Sequence, residues 1–537
     1  AEGIGKRPKG FSLTTIFAMT STTAGLEKVR QQDATNSNVE KEWMQALDET
    51  EATLRETFAS GRTKSLEWRV SQLKALEEMF LKEQDKIADA LKADLNRPLY
   101  ESIVADVGAS VAEVRFCLSN LTAWMESESV TTPMLMQMGS SRIDRVPKGV
   151  VFVMGAWNFP VNLSIGPCIG AIAAGNCVVL KPSEVAPACA KLMQEMCSQY
   201  LDRSAFRVVL GNVPHATELL NRRWDHIFYT GNAATARIVM TAAAKHLCPV
   251  TLELGGKSPC IVDRGLSASQ LRTAANRIVS TGLFVNAGQI CVSPDYVLVH
   301  QDAEKEVCEA LKEAVARMYP KGSSPQALSR IVNERHFDRL KHLVESAGGD
   351  VICGGVGEGS GADRSKCFLP PTIISRPNLS SPAMAEELFG PVMLVQPVED
   401  LPQAIEFVNS RDTPLALYVF SPDKARAETV VKGTNSGGVL VNDTLLHLAN
   451  PFLPFGGSGP SGMGSYHGKF GFDEFSHRRA VMSRSLFPDI DRYPPYDNAK
   501  LSLIKRVQLG PLVPPGVKMA GAAIAAAAGA AFFRSRL

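Results

Sequence analysis

From residue 40 to about residue 127, apolar side chains recur three and four positions apart among charged ones, as at Leu66, Val70, Leu73, Leu76 and Met79. That spacing keeps one helix face apolar and predicts a helical entry region. Asp94-Leu95-Asn96-Arg97-Pro98 interrupts it, because proline disfavours helix at the preceding residue, and the period resumes from Tyr100 to Met125. Over 131–148 short polar and apolar stretches alternate instead, predicting a small β excursion. Five β-rich runs follow at 150–154, 178–180, 207–210, 226–230 and 250–254, with helical pattern between them. Such alternation predicts a parallel, doubly wound sheet with ligand sites beyond the strand C-termini. The runs end in Gly, Lys-Pro-Ser or Thr-Gly, where the backbone must turn close to a ligand or a helix start.

A second α/β pattern occupies the following stretch, with helices expected near 267–280, 303–318 and 333–348 and strands near 296–299, 392–397, 417–420 and 438–441. The Gly-rich segment from Pro454 to Gly464 reads as a loop rather than a phosphate cradle, since no strand leads into it and no Lys-Ser/Thr follows.

Composition narrows the function. With 45% hydrophobic and 21% charged residues the chain is globular, and disorder throughout is excluded. The 57 basic residues nearly cancel the 55 acidic ones, and no basic run of five occurs, so nucleic acid is not an expected partner. The 11 cysteines are scattered, odd in number and without a CxxC pair, and they share no zinc-type spacing with the nine histidines. A disulfide framework and a metal site are therefore not expected. The sequence begins on Ala1, as a processed chain or a partial translation would. Its opening stretch, basic at Lys6, Arg7 and Lys9 and then rich in Ser and Thr, is read as a disordered leader in preference to a transit-peptide remnant.

Two positions carry candidate chemistry. Cys291 sits in Asn286-Ala-Gly-Gln-Ile-Cys291-Val-Ser-Pro-Asp295, where small and polar neighbours would expose a thiol, and it is either a nucleophile or one more structural cysteine. Glu253 lies in the apolar run Val250-Thr-Leu-Glu-Leu before Gly255-Gly256. A carboxylate there is costly unless protonated, paired or functional, so a general base and a satisfied structural residue are both open readings.

Together these residues resemble the aldehyde dehydrogenase superfamily. Trp157-Asn158-Phe159-Pro160, Lys181-Pro182-Ser183-Glu184, Tyr229-Thr230-Gly231-Asn232, Leu252-Glu253-Leu254-Gly255-Gly256-Lys257, Gly288-Gln289-Ile290-Cys291 and Glu386-Glu387-Leu388-Phe389-Gly390-Pro391 follow that family's order. Glu67-Trp68-Arg69, Asn442-Asp443, Pro454-Phe455-Gly456-Gly457 and Gly464-Ser465-Tyr466-His467-Gly468 look like its class 3, fatty-aldehyde-type branch. The family's glycine pattern is only partly kept, since Ala stands in Gly231-Asn-Ala-Ala-Thr-Ala236 where a second glycine is often seen.

The resemblance implies an α/β fold with a parallel dinucleotide-binding sheet, a second α/β catalytic domain and a small β excursion for oligomerisation. The expected division is a leader over 1–39, entry region and dinucleotide-binding domain over 40–254, catalytic domain over 255–440, return and oligomerisation segment over 441–500, and linker with tail over 501–537. It also implies roles. Cys291 would attack the aldehyde, Asn158 would support the oxyanion with the Cys291 N–H, and Glu253 would activate water against the resulting thioester. Lys181 and Glu184 would meet the adenosine ribose of NAD, with NADP as a second cofactor. Thr230 and Gly231 would lie near the pyrophosphate, and Glu387 and Phe389 around the nicotinamide ribose. The implied reaction is oxidation of medium- or long-chain aliphatic or aromatic aldehydes to acids by a homodimer. A CoA-acylating or reductive thioester enzyme and a noncatalytic membrane-attached binding protein are the alternatives.

Beyond Pro511, Pro514 and Pro515, the uncharged run from Met519 to Phe533 is bounded by Lys518 and Arg534. As a helix it would span roughly 22 Å, short of the ~30 Å hydrocarbon core. A marginal anchor at the cytoplasmic face of a membrane is expected, with the cytosol as the other setting. Ser535-Arg536-Leu537 resembles a peroxisomal address.

Overall fold

The computed structural model describes residues 23–133, 136, 139–487 and 493–509. Helix α1 (Thr23–Ala59) begins well ahead of the residue-40 start expected from periodicity, so the leader reading is corrected from Thr23 onward, while residues 1–22 lie outside the described residues. The entry region continues with α2 (Leu66–Lys82) and α3 (Gln84–Leu95), which ends on left-handed Asn96 just before Pro98. A π-helical turn (Ser102–Gly108) then leads into α4 (Ala109–Met125). The described residues form two compact units, one of residues 23–119 with 148–475 and one of residues 120–147 with 476–509.

The smaller unit holds the β excursion. Strands β1 (Glu128–Val130) and β2 (Gly139–Pro147) pair antiparallel, and the late strand Ser476–Arg484 joins β2 antiparallel along nine residues, from Ser476 opposite Pro147 to Arg484 opposite Gly139. That strand leaves most of its side chains exposed.

In the larger unit β3 (Val150–Met154), β4 (Cys177–Lys181), β5 (Phe206–Val208), β6 (His226–Thr230) and β7 (Val250–Glu253) form a parallel sheet in the order β7-β6-β3-β4-β5. β3, β4 and β6 are buried along their whole length, which is why they read as unbroken apolar runs. The order reverses between β3 and β6, and such a switch point opens a ligand crevice at the strand C-termini. Helix α5 (Asn162–Ala174) follows β3, and buried Arg69 donates from Nη1 to the Ala173 carbonyl at its C-terminus at 3.0 Å, tying the entry helices to the sheet.

The second sheet runs Asp350–Cys353, Thr372–Ser375, Val392–Val398, Pro294–His300, Ser258–Val262, Ala416–Phe420, Gly438–Val441, parallel except at the first pair. Three of these strands, Ser258–Val262, Asp350–Cys353 and Thr372–Ser375, were not expected from the sequence. The segment expected as a pure loop also contributes a strand: Gly462–Met463 pairs antiparallel with β7, placing Gly462 opposite Glu253.

Candidate active site

The C-terminal ends of the first sheet gather most of the predicted residues. Asn158 follows β3, Lys181 closes β4 with Glu184 three residues on, Thr230 closes β6, and Glu253 closes β7. Thr230 and Glu253 stand opposite one another in register, and the Gly231 N–H donates to the Glu253 carbonyl at 3.0 Å. After Gly231, helix α6 (Ala233–Ala244) starts with Asn232 as its cap, Oδ1 accepting from the Thr235 N–H at 2.9 Å.

Glu253 is 3% exposed, and neither of its carboxylate oxygens has a hydrogen-bond partner among the described residues. Burial pushes its carboxyl well above the usual carboxylate range, and the charge of Glu474 adds in the same direction. Glu474 is held by the Thr251 hydroxyl, two residues before Glu253, at 2.6 Å.

Cys291 comes from a different construction. A π-helical turn (Ser280–Phe284) runs into a tight turn in which Asn286, Ala287 and Gly288 are all left-handed, at φ 49°, 51° and 70°. At Gly288 a Cβ would collide with the Gly282 and Gly390 carbonyls, so only glycine fits. Three amides hold this loop. Asn286 Nδ2 donates to the Asn158 carbonyl at 2.8 Å and the Gln289 carbonyl at 3.0 Å, and the Asn286 N–H donates to Glu101 Oε2 at 2.8 Å. Gln289 Nε2 reaches the Asn286 and Arg330 carbonyls, each at 3.0 Å, while its Oε1 accepts from the Val332 N–H. Asn158 Nδ2 donates to the Gln289 carbonyl at 3.1 Å, leaving one amide N–H to serve another acceptor.

The thiol is half-buried rather than exposed as its neighbours suggest. Burial, reinforced by the charges of Glu387 and Glu253, pushes it up to about 12, against the opposing N–H groups of Cys291 and Val292. At neutral pH Cys291 therefore rests as a thiol, and thiolate formation needs a base beside it.

Glu387 and Phe389 arrive on a third segment. Lys257 Nζ pairs with Asp295 and donates to the Ala383 and Glu386 carbonyls at 2.8 and 2.9 Å, while Asp295 Oδ2 accepts from the Leu388 N–H at 2.8 Å. The segment so clamped lays the Glu387 carboxylate against Gly255, where a Cβ would meet both its oxygens. Burial raises the Glu387 carboxyl to about 8. Phe389, itself left-handed, sets its ring edge-on to Trp157 at 5.3 Å.

The geometry suits a dinucleotide. Lys181 is buried and donates from Nζ to Glu184 Oε2 at 2.7 Å. Burial alone would raise the Glu184 carboxyl, but Lys181 outweighs it and holds the group below its ordinary range. The Thr230 hydroxyl is buried without a partner among the described residues, beside the start of α6, where orphan N–H groups favour phosphate. No group of three or more metal-type ligands occurs among the described residues.

The model of the aldehyde dehydrogenase family matches residues 24–481. The chain belongs to that family. It is 43% identical to aldehyde dehydrogenase family 3 member B1 of Rattus norvegicus over 86% of this chain and 97% of the relative. It is also 43% identical to the dimeric, NADP-preferring aldehyde dehydrogenase of that species, over 84% of this chain and 98% of the relative. In structure, the substrate-bound AldH of Staphylococcus aureus matches with a TM-score of 0.81 at 34% identity, covering 86% of this chain and 98% of that one. The chain is thus an aldehyde dehydrogenase with class 3 relatives, an NAD(P)-dependent oxidoreductase of the expected fold.

Several residues around this aldehyde dehydrogenase site are given no individual role by the sequence, although Tyr466 lies in one of the class 3 motifs. Arg97 and Asp106 lie in the entry region, yet Arg97 donates to the Asn158 carbonyl. Tyr418 donates to the Val292 carbonyl at 2.6 Å, next to the nucleophile candidate. Tyr466 is buried, and the charges of Glu253 and Cys291 join burial in raising its phenol.

Proposed function

We propose that Cys291 is the nucleophile, Glu253 the general base and Asn158 the oxyanion donor, and that the substrates are medium- or long-chain aliphatic or aromatic aldehydes. The observation that carries this reading is Glu253: a buried carboxylate with both oxygens unpartnered, whose charge acts on the Cys291 thiol. A purely structural carboxylate would be satisfied by its surroundings.

Because Cys291 rests protonated, Glu253 takes the thiol proton as Sγ bonds to the carbonyl carbon and the carbonyl electron pair moves to oxygen. The free N–H of Asn158 and the Cys291 N–H meet that oxyanion. A nicotinamide bound beside Glu387 and Phe389 would supply the hydride acceptor as the oxyanion's electron pair re-forms the carbonyl. Glu253 then gives the thiol proton up to solvent and takes a proton from the water that attacks the thioester on Cys291; the C–S bond breaks, the sulfur recovers a proton and the acid departs. Phe159, Leu445, Leu448 and Phe455 pack, partly buried, against the same core cluster as Cys291, and their apolar character supports an apolar substrate. The direct test follows NADH absorbance with aldehydes of increasing chain length and both cofactors. kcat/KM is expected to rise from short to medium chains, and a flat or falling series would overturn the substrate assignment.

For the cofactor, NAD is modestly preferred, with Lys181 and Glu184 at the adenosine ribose. A free carboxylate there would repel the 2′-phosphate of NADP, and the hold of Lys181 on Glu184 weakens that repulsion without abolishing it. Glu184→Gln is expected to shift the NAD-to-NADP ratio of kcat/KM toward NADP by about tenfold, roughly 1.4 kcal/mol of differential binding. An unchanged ratio would remove Glu184 from the ribose site.

The enzyme works as a homodimer. Support comes from the relative named dimeric and from the exposed face of Ser476–Arg484, and sedimentation velocity reads the mass directly. The tail reading falls on residues outside the described ones, among which no helix is long and apolar enough to cross a membrane. Marginal anchoring to the cytoplasmic face of a membrane through 519–533 is the proposal, with the cytosol or, through Ser535-Arg536-Leu537, the peroxisome as the other destinations. Truncation after Pro515 should move the protein from the membrane pellet to the supernatant without altering turnover of short aldehydes. A full chain already in the supernatant would end the anchor reading.

A further inference from the structure

We propose that Arg97 and Asp106 form a positioning pair that sets the Asn158 amide, joining the entry region to the chemistry. The inference rests on the reading of Asn158 as oxyanion donor.

Both side chains are 0% exposed. Arg97 lies at the break after α3, next to left-handed Asn96, and Asp106 in the π-helical turn Ser102–Gly108. Arg97 Nη1 donates to Asp106 Oδ2 and Nη2 donates to the Asn158 carbonyl, while the guanidinium lies 4.5 Å from the centre of the Phe159 ring. Asp106 Oδ1 accepts from the N–H groups of Val161 at 3.2 Å and Asn162 at 3.0 Å. The backbone over 158–162 is thus gripped at a carbonyl, a ring and two N–H groups, all by this one pair. The Asn158 carbonyl also accepts from Asn286 Nδ2, so the oxyanion amide and the nucleophile loop are referenced to the same oxygen.

Stability does not explain this arrangement. A fully buried ion pair gains little over apolar residues of the same volume. Arg97 Nε, moreover, is buried without a partner among the described residues, an uncompensated cost. What the pair supplies is a fixed direction for the Asn158 side chain at the end of β3, and misplacing a catalytic group by about 1 Å can cost about 10²-fold in rate.

A double-mutant cycle on the full chain tests this. Arg97→Lys keeps the charge but cannot hold Asp106, the Asn158 carbonyl and the Phe159 ring together. It is expected to lower kcat roughly 10–100-fold, with KM for NAD little changed. Placed on Asn158→Ala, the same substitution should change kcat by less than about twofold, because the amide through which it acts is gone. Asp106→Asn serves as a second entry to the same cycle should Arg97→Lys fail to fold, as judged by its melting temperature. Multiplicative losses in the double variant, with Asn158→Ala itself impaired, overturn the positioning pair and leave the oxyanion reading standing. Wild-type kcat in Asn158→Ala overturns the oxyanion reading and the proposal with it.

Discussion

Cys291→Ala is expected to lower dehydrogenase turnover by about 10⁴-fold or more, the scale on which a covalent nucleophile is lost. Cofactor affinity should stay within roughly twofold, because the thiol forms the intermediate but holds no part of the nucleotide. The substitution is conservative for the fold. Cys291 is half-buried, and the amides that shape its loop come from Asn286, Gln289 and Asn158 rather than from its sulfur. Cofactor titration by tryptophan fluorescence beside an NADH assay separates the two effects, and turnover near wild type would remove Cys291 from the chemistry.

Glu253→Gln comes second in size. Steady-state turnover should fall about 10²–10⁴-fold, the usual contribution of a general base. The amide can accept a proton neither from the Cys291 thiol, which rests protonated, nor from water, so a stopped-flow trace should lose the burst of NADH as well as the steady state. A burst followed by a stall at the thioester would confine Glu253 to the hydrolytic step and assign the thiol proton to another acceptor. The pH dependence has a definite sign. Wild-type turnover rises with pH until Glu253 ionises, well above the ordinary carboxylate range, and the Gln variant lacks that limb. Stability runs the other way. A carboxyl whose folded pKa is raised is comfortable while protonated, and folding loses free energy as pH climbs from about 4.3 through the folded value. Glu253→Gln should therefore melt no lower than wild type at pH 8, which a structural carboxylate would not allow.

The sequence was most legible where local pattern and tertiary role coincide. β3, β4 and β6 are buried throughout, so their apolar runs announce themselves, and the turns after them had to sit at the sheet's C-terminal edge. Ser258–Val262 contains Pro259, Asp350–Cys353 follows a Gly-Gly pair, and Thr372–Ser375 follows Pro370-Pro371. In each the flanking residues read as loop, and strand identity comes from neighbours distant in sequence. Glu253 was suspicious because its own strand is apolar. Arg97 and Asp106 look like ordinary surface charges, and only their convergence on the Asn158 carbonyl and the start of α5 gives them meaning. The thiol went astray for the same reason: small polar neighbours suggest exposure, whereas Glu253, Glu387 and the surrounding core decide its protonation.

The left-handed run at Asn286, Ala287 and Gly288 has a consequence for endurance. A residue bearing a Cβ stores about 1–2 kcal/mol in that conformation, and Ala287 has no side-chain bond to offset it. The loop keeps its shape only while Asn158, Glu101 and Gln289 hold it. Warming should release those bonds before the sheets melt, as local openings precede global unfolding. The half-life of activity on heating is then set by relaxation of the loop and the melting temperature by the sheets, so the enzyme should fall silent while its circular dichroism is still that of a folded protein.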